Sequence, residues 1–332
     1  MKLRVGIIGL GEVWQMRHAP ALRALADRYE VRAICDPVQH RAEQAAAEFH
    51  ADVVDGYHAL VGREDVDAIL VLAPQWFKTL PILAACDSRK AVYCAVGLDL
   101  DAEEAKLVKR RVEESGIAFA AEFPKRQAPS TLRLKELIAT SLGSPRLIFC
   151  HQRSVGDSPC VNAETSPLTF QHIIGLVDWC RYVADAKPSY VTGVIHRTGG
   201  DTEEDYRMLT LDFSPRGKPA TGTIAQISAG RYIPPQWHEA ISYRPLAEMQ
   251  VSCMKGIAFV DLPSTLAWFD EAGRHQESLD SERPIGERLL TQFYRSVTSL
   301  VRRTTDLEDA YLALNIVRAG RQSQEEGRRI EL

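Results

Sequence analysis

Two glycines and an acid carry the first chemistry legible in this sequence. Val5-Gly6-Ile7-Ile8 runs into Gly9-Leu10-Gly11, and the segment beyond it, through Ala19-Pro20-Ala21-Leu22-Arg23-Ala24-Leu25, reads as helical. Strand, glycine turn and helix in that order give the pyrophosphate of a dinucleotide a seat. Gly9 permits the tight turn, Gly11 lets the backbone approach the phosphates, and the helix start offers unpaired N–H groups. A second strand, 31–35, ends in Asp36, where a carboxylate accepts hydrogen bonds from the adenosine ribose. Asp36 also favours NAD over NADP, because it would repel a 2′-phosphate; Arg41 nearby keeps NADP open. Glu12, Val13 and Trp14 complete the turn as cofactor contacts. Trp14 occupies the third glycine position, so helix and strand stand further apart than glycine allows. Its ring either closes the pocket or packs in the core. Ala73, Pro74, Gln75 and Lys78 after strand 66–72, and Ala95 after strand 91–94, are further cofactor candidates. They stand at carboxyl strand ends, where parallel sheets bind ligands.

The elements that position these residues alternate regularly. Helix 38–49, a short extended piece at 52–54 and helix 58–61 precede the apolar strand 66–72. Helix 79–85, strand 91–94, helix 101–115 and strand 117–121 follow. Such alternation implies an α/β unit with a parallel sheet and helices on both faces. Beyond residue 121 the pattern changes to helix 130–141, strand 146–150, an aperiodic loop 153–169 and helix 170–183. Strand-like runs at 190–195, 208–213, 221–228 and 249–261 follow, then helices 286–301 and 307–326. Strands in series flanked by helices imply an α+β domain with a mostly antiparallel, open sheet. The expected domains are 1–121 and 122–332.

Composition narrows the partners. The chain has 332 residues, 45% hydrophobic and 25% charged, long enough for two cores. A net charge of −4 gives no reason to expect nucleic acid or an anionic membrane. Seven cysteines without CxxC spacing argue for reduced thiols and against a metal site. No apolar run approaches the roughly 20 residues of a membrane span, and Met1-Lys2 leads straight into a core strand without a signal peptide. A cytoplasmic protein is expected.

Several ordered segments give the chain a family likeness: Gly9–Leu22 with His18 and Pro20-Ala21, Ala33-Ile34-Cys35-Asp36-Pro37, residues 66–86, the crossover with Lys125-Arg126, residues 177–193, and the last two helices. In these the sequence resembles the Gfo/Idh/MocA family, two-domain NAD(P)-dependent sugar and inositol dehydrogenases. The resemblance implies an N-terminal Rossmann dinucleotide-binding domain and a substrate-binding and oligomerisation domain. It also implies a sugar-like, cyclitol or polyol substrate and a homodimer or homotetramer.

The departures fall on the chemistry. The family's Glu-Lys-Pro turn, whose lysine positions the substrate hydroxyl, is replaced by Ala95-Val96-Gly97 within Cys94–Asp99. Its Asp-x-Gly-x-His-x-x-Asp stretch, aligned on Asp178, has Gln171, Ile173 and Gly175 at the other three positions. Only Asp178 survives. Hydride transfer from an alcohol carbon still needs a base within hydrogen-bond reach. His172, one helical turn before Gly175, is one candidate, against a plain cap or surface role. Asp178 beside Trp179 either orients a substrate hydroxyl or is a helix-surface acid. Lys125 and Arg126 either meet an acidic substrate group or form an interdomain salt bridge. Two functions follow: an NAD(P)-dependent oxidoreductase with relocated acid–base residues, or an inactive member that binds dinucleotide or sugar for sensing or assembly.

Overall fold

The computed structural model describes residues 2–11, 14–72, 77–95, 102–155, 168–197, 204–218, 221–243, 247–299 and 305–332. It divides into two compact units: residues 1–124 with 283–311, and residues 125–282 with 312–332.

The first unit is built on strands β1 (Leu3–Ile8), β2 (Tyr29–Cys35), β3 (Asp52–Val53), β4 (Ala68–Val71), β5 (Ala91–Cys94) and β6 (Phe119–Ala121). Among the described residues they form one parallel sheet in the order β3-β2-β1-β4-β5-β6. β4 and β5 are buried along their whole length, as strands covered on both faces must be. One face, with Val5, Ile7, Leu70 and Tyr93, packs with α1 (Ala19–Ala24) and with Leu289, Leu290 and Phe293 of α8 (Ile285–Thr298). The other, with Ile8, Ile69, Val71 and Val92, takes Ile82 and Ala85 of α4 (Leu80–Asp87) and Val108 and Val112 of α5 (Ala102–Ser115). α2 (Gln39–Phe49) faces inward through Ala42, Ala45 and Ala46, and α3 (Tyr57–Val61) through Leu60 and Val61. A π-helical turn, Trp14–His18, leads into α1, so the chain makes a wider turn there than the helix read from the sequence.

The second unit carries strands β7 (Pro145–Val155), β8 (Tyr190–Arg197), β9 (Glu204–Asp212), β10 (Ile224–Ile233), β11 (Met249–Cys253), β12 (Ile257–Asp261), β13 (Thr265–Asp270), β14 (Gly273–Ser278) and β15 (Ile330–Glu331). Their order is β14-β13-β12-β11-β7-β10-β9-β8-β15, antiparallel except for the central β7–β10 pair. One face, with Ile148, Ala225, Ile227, Leu209 and Val251, is buried. Against this unit's strands pack α6 (Pro129–Leu137) and α7 (Leu168–Ala184). The opposite face leaves Leu147, Phe149, Val194, Tyr232 and Phe269 exposed. The last helix is α9 (Thr305–Glu326).

Within 249–278 the strands differ from the sequence reading in two places. The run 249–261 is two strands, because Met254-Lys255-Gly256 turns the chain and Cys253 N–H meets the Gly256 carbonyl at 2.8 Å. The β13–β14 hairpin, turning at Glu271-Ala272, adds two strands where none were read.

Candidate functional site

The glycine turn and the end of β2 meet in the first unit. Gly9 lies in the left-handed region at φ 74°, which a side chain would strain, and its N–H bonds the Cys35 carbonyl at 2.7 Å. The Asp36 side chain is wholly buried at the adjoining strand end. Its Oδ2 accepts Leu10 N–H at 2.7 Å and its Oδ1 accepts Val38 N–H at 2.8 Å. A carboxylate has about four acceptor sites, and these two bonds fill one on each oxygen. A left-handed glycine, a backbone N–H loop and an acceptor-only side chain beside it form the donor and acceptor set that a dinucleotide requires. Gly9, Gly11 and Asp36 are the described residues that fit it.

The other cofactor candidates are distributed less simply. Trp14 is buried in the core, edge-on to Phe49 at 5.7 Å. It also lines a cavity of about 70 Å³ with Leu10, Gln15, Arg41, Gln44 and Glu48. Arg41 Nη2 stands 3.9 Å from Asp36 Oδ2. Ala95 N–H bonds the Val71 carbonyl at 2.9 Å, beside the carboxyl end of β4. Lys78 is exposed with φ 47°. Glu12, Val13, Ala73, Pro74, Gln75, Trp76 and residues 96–99 lie outside the described residues, as does most of the loop 153–169.

Sequence reasoning missed a buried polar cluster in the same unit. Glu122 follows β6, and its N–H bonds the Cys94 carbonyl at 2.8 Å. Its wholly buried carboxylate meets Arg17 Nη1 through Oε1 and His18 Nε2 through Oε2, the latter at 3.0 Å. Burial alone would raise its pKa. The hydrogen bond and charge of His18, with the charge of Arg17, outweigh that and hold it below the usual glutamate range. The available signal was an acid directly after the apolar run 117–121.

The three proton-transfer candidates lie in the second unit. Asp178 on α7 is buried, so the helix-surface reading is corrected. Arg126, in the short 3-10 turn Pro124–Gln127, grips it with Nε 2.7 Å from Oδ2 and Nη2 on Oδ1. Arg181 Nη1 lies 3.8 Å away. The Arg126–Asp178 pair lies inside the second unit. A carboxylate removed from water needs hydrogen-bonded, charged partners, and the guanidinium fork supplies two donors. Lys125 Nζ sits 5.5 Å over the Trp179 ring, whose Nε1 donates to Thr131 Oγ1 at 3.0 Å. His172 is half-buried. Burial, then the charges of Arg231 and Lys125, push its pKa below the usual imidazole value. That shift favours the neutral imidazole, the form that accepts a proton. At Gly175, one turn further along α7, a Cβ would meet no atom within 4 Å, so that helix position faces open space. Lys125 and His172 are thus electrostatic neighbours, whereas Asp178 is held by arginine. Trp237 is 64% exposed. Among the described residues no group of His, Cys, Asp and Glu has the arrangement to hold a metal ion, and no helix is long and apolar enough to cross a membrane.

Comparison with known proteins agrees with this architecture. Residues 3–123 match the Gfo/Idh/MocA family, described as an oxidoreductase family with an NAD-binding Rossmann fold. Inositol 2-dehydrogenase from Mycolicibacterium smegmatis is 28% identical over 186 residues, 55% of this chain and 53% of that protein. The match spans about half the length of that curated relative. Aldose-aldose oxidoreductase from Caulobacter crescentus shares the fold with a TM-score of 0.85 at 15% identity, covering 100% of both chains. UDP-N-acetylglucosamine 3-dehydrogenase from Acidithiobacillus ferrooxidans does so with a TM-score of 0.79 at 19% identity, over 98% of this chain and 99% of that one. Residues 3–123 thus carry the NAD-binding Rossmann fold that describes the Gfo/Idh/MocA oxidoreductase family.

Proposed function

We propose that this protein is an NAD-dependent oxidoreductase that moves hydride to or from a hydroxyl-bearing carbon of a small sugar-like or cyclitol molecule. The observation that carries the reading is Asp36, buried at the end of β2 and bonded to Leu10 of the glycine turn. That geometry joins a ribose acceptor to a pyrophosphate loop. The cofactor part is the first unit, which extends the expected 1–121 to residue 124 and adds residues 283–311, and the substrate and assembly part is the rest of the expected 122–332. When bound, NAD supplies the hydride acceptor at its nicotinamide. Gly9 and Gly11 admit the pyrophosphate, Asp36 takes the ribose hydroxyls, and Ala95 borders the carboxyl edge of the sheet. The neutral His172 imidazole accepts the hydroxyl proton, Lys125 orients the substrate oxygen, and Asp178 fixes α7 through Arg126. Hydride and proton leave the same alcohol, which makes a carbonyl product. The exposed sheet face of the second unit, with Leu147, Phe149 and Val194, supports assembly as a homodimer or homotetramer in the cytoplasm.

Turnover tests this reading. Purified protein with NAD is presented with inositols, aldoses, uronates and amino sugars, and NADH formation is followed at 340 nm. Oxidation of one class that is lost in His172→Asn is the expected result. Binding of NADH without turnover of any of these compounds, in either direction, would transfer the protein to the second reading. That reading is a ligand-binding member without catalysis, and the loss of the Glu-Lys-Pro turn favours it.

A further inference from the structure

The buried cluster of Glu122, Arg17 and His18 takes no part in the chemistry proposed above, yet it lies one short link from the cofactor loop. Arg17 and His18 are consecutive residues of the π-helical turn Trp14–His18. That turn is tied back to the loop by the Trp14 N–H to Gly11 carbonyl bond of 3.0 Å. At its other end both basic side chains close on one carboxylate, Glu122, whose own backbone is fixed to β5 through the Cys94 carbonyl. His18 is wholly buried, and its Nδ1 has no hydrogen-bond partner, so the bond from Nε2 to Glu122 sets the direction of the ring. The Arg17 backbone is backed by α8, where a Cβ on Gly286 would fall 2.7 Å from the Arg17 carbonyl oxygen. A π-helical turn is an uncommon conformation that tertiary contacts must hold, and such turns recur at functional sites.

We infer that Glu122 is a positioning residue for the dinucleotide: by anchoring Arg17 and His18 to the sheet, it sets the Trp14–His18 turn and so the Gly9–Gly11 loop that cradles the pyrophosphate. The inference rests on the NAD-binding reading of the first unit. It predicts a particular division of binding energy. Ligands with a pyrophosphate depend on Glu122, and a ligand without one does not. Loss of overall stability would weaken both alike.

The test measures dissociation constants of the full chain for NADH, ADP and adenosine, by calorimetry or by competition against NADH fluorescence, alongside the thermal midpoint. Glu122→Gln should weaken NADH and ADP by about tenfold or more, since small misplacements of a binding loop are costly. Adenosine should stay within about twofold, because Asp36 and its surroundings are untouched. Glu122→Asp should restore part of the ADP affinity, because it keeps the charge. Unchanged ADP affinity in a folded Glu122→Gln protein overturns the inference, and so does equal weakening of ADP and adenosine. If Glu122→Gln does not fold, Arg17→Met removes one arm of the clamp from a side chain that is 27% exposed. ADP must then weaken by at least about threefold with adenosine unmoved, and unmoved ADP overturns the inference. A wild-type chain that binds neither NADH nor ADP is a different failure, since it removes the NAD-binding reading itself.

Discussion

Asp36 and Asp178 are both carboxylates with side chains almost wholly removed from solvent, but they are satisfied in opposite ways. Asp36 accepts two backbone N–H groups, from Leu10 and Val38. Asp178 is gripped by the guanidinium fork of Arg126, with Arg181 close behind. Arg41 Nη2 also stands 3.9 Å from Asp36 Oδ2, but the donors hydrogen-bonded to Asp36 are neutral backbone groups that leave lone pairs for hydroxyl donors from a ligand. A guanidinium uses the same lone pairs and cancels the charge, so Asp178 is equipped to hold α7 against the start of its unit. Burial alone does not distinguish a binding acid from a structural one. The partner does.

The largest effect expected from this contrast is on folding. Asp178→Ala leaves Arg126 and Arg181 facing a buried gap, and breaking such a pair costs about 3–5 kcal/mol. Urea denaturation should show that loss, and a fall below about 1 kcal/mol would mean that Asp178 is not the structural partner described here. Next comes His172→Asn, which should lower kcat/KM by at least about 10²-fold, the usual contribution of a general base, with NADH affinity unchanged. Equal rates in variant and wild type would remove His172 from the chemistry. Asp36→Asn should raise the NADH dissociation constant by roughly tenfold, close to the worth of a hydrogen bond to a charged group, and narrow the gap between NADH and NADPH. Thermal stability should move little, in contrast to Asp178→Ala.

The smallest effect is a matter of pH. Glu122 has a folded pKa below its usual value of 4.5, so its stabilising contribution is complete above about pH 4.5 and is lost as pH falls through the lower folded value. Melting midpoints should be nearly level from pH 8 to pH 5 as far as this group is concerned, with a drop below that shrinks in Glu122→Gln. For His172 the sign is reversed. Its folded pKa is lowered, so activity that needs the neutral imidazole should persist below the ordinary histidine value of 6.5 before it falls.

Legibility in the sequence followed the range of the interactions. The strand at β4 was readable because four successive buried apolar residues, Ala68 to Val71, have no other fate between turn signals. Gly9 and Asp36 were readable because their roles depend on local geometry and on a short strand-to-strand spacing. The two strands within 249–261 were read as one because apolar alternation continues across the Met254-Lys255-Gly256 turn. In the β13–β14 hairpin only β13 carries an apolar signal, through Leu266 and Trp268, and its polar partner Gly273–Ser278 carries none. Glu122 with Arg17 and His18 was out of reach for a different reason. The partners are separated by more than a hundred residues, and only the packing of β6 beside β5 brings the acid to the start of the first helical segment. Asp178 failed in the same way, since Arg126 lies 52 residues before it. Trp14 sat between these cases. Its position beside the turn was plain, and its burial against Phe49 depended on a helix two elements away.

The central claim is that the first unit is an NAD site read by Asp36. It is tested most directly by titrating nucleotide-stripped protein with NADH and, separately, with NADPH in a calorimeter. The account predicts micromolar binding of NADH and binding of NADPH at least about tenfold weaker, because a 2′-phosphate must approach the Asp36 carboxylate. Tighter binding of NADPH, or no binding of either nucleotide, would contradict it.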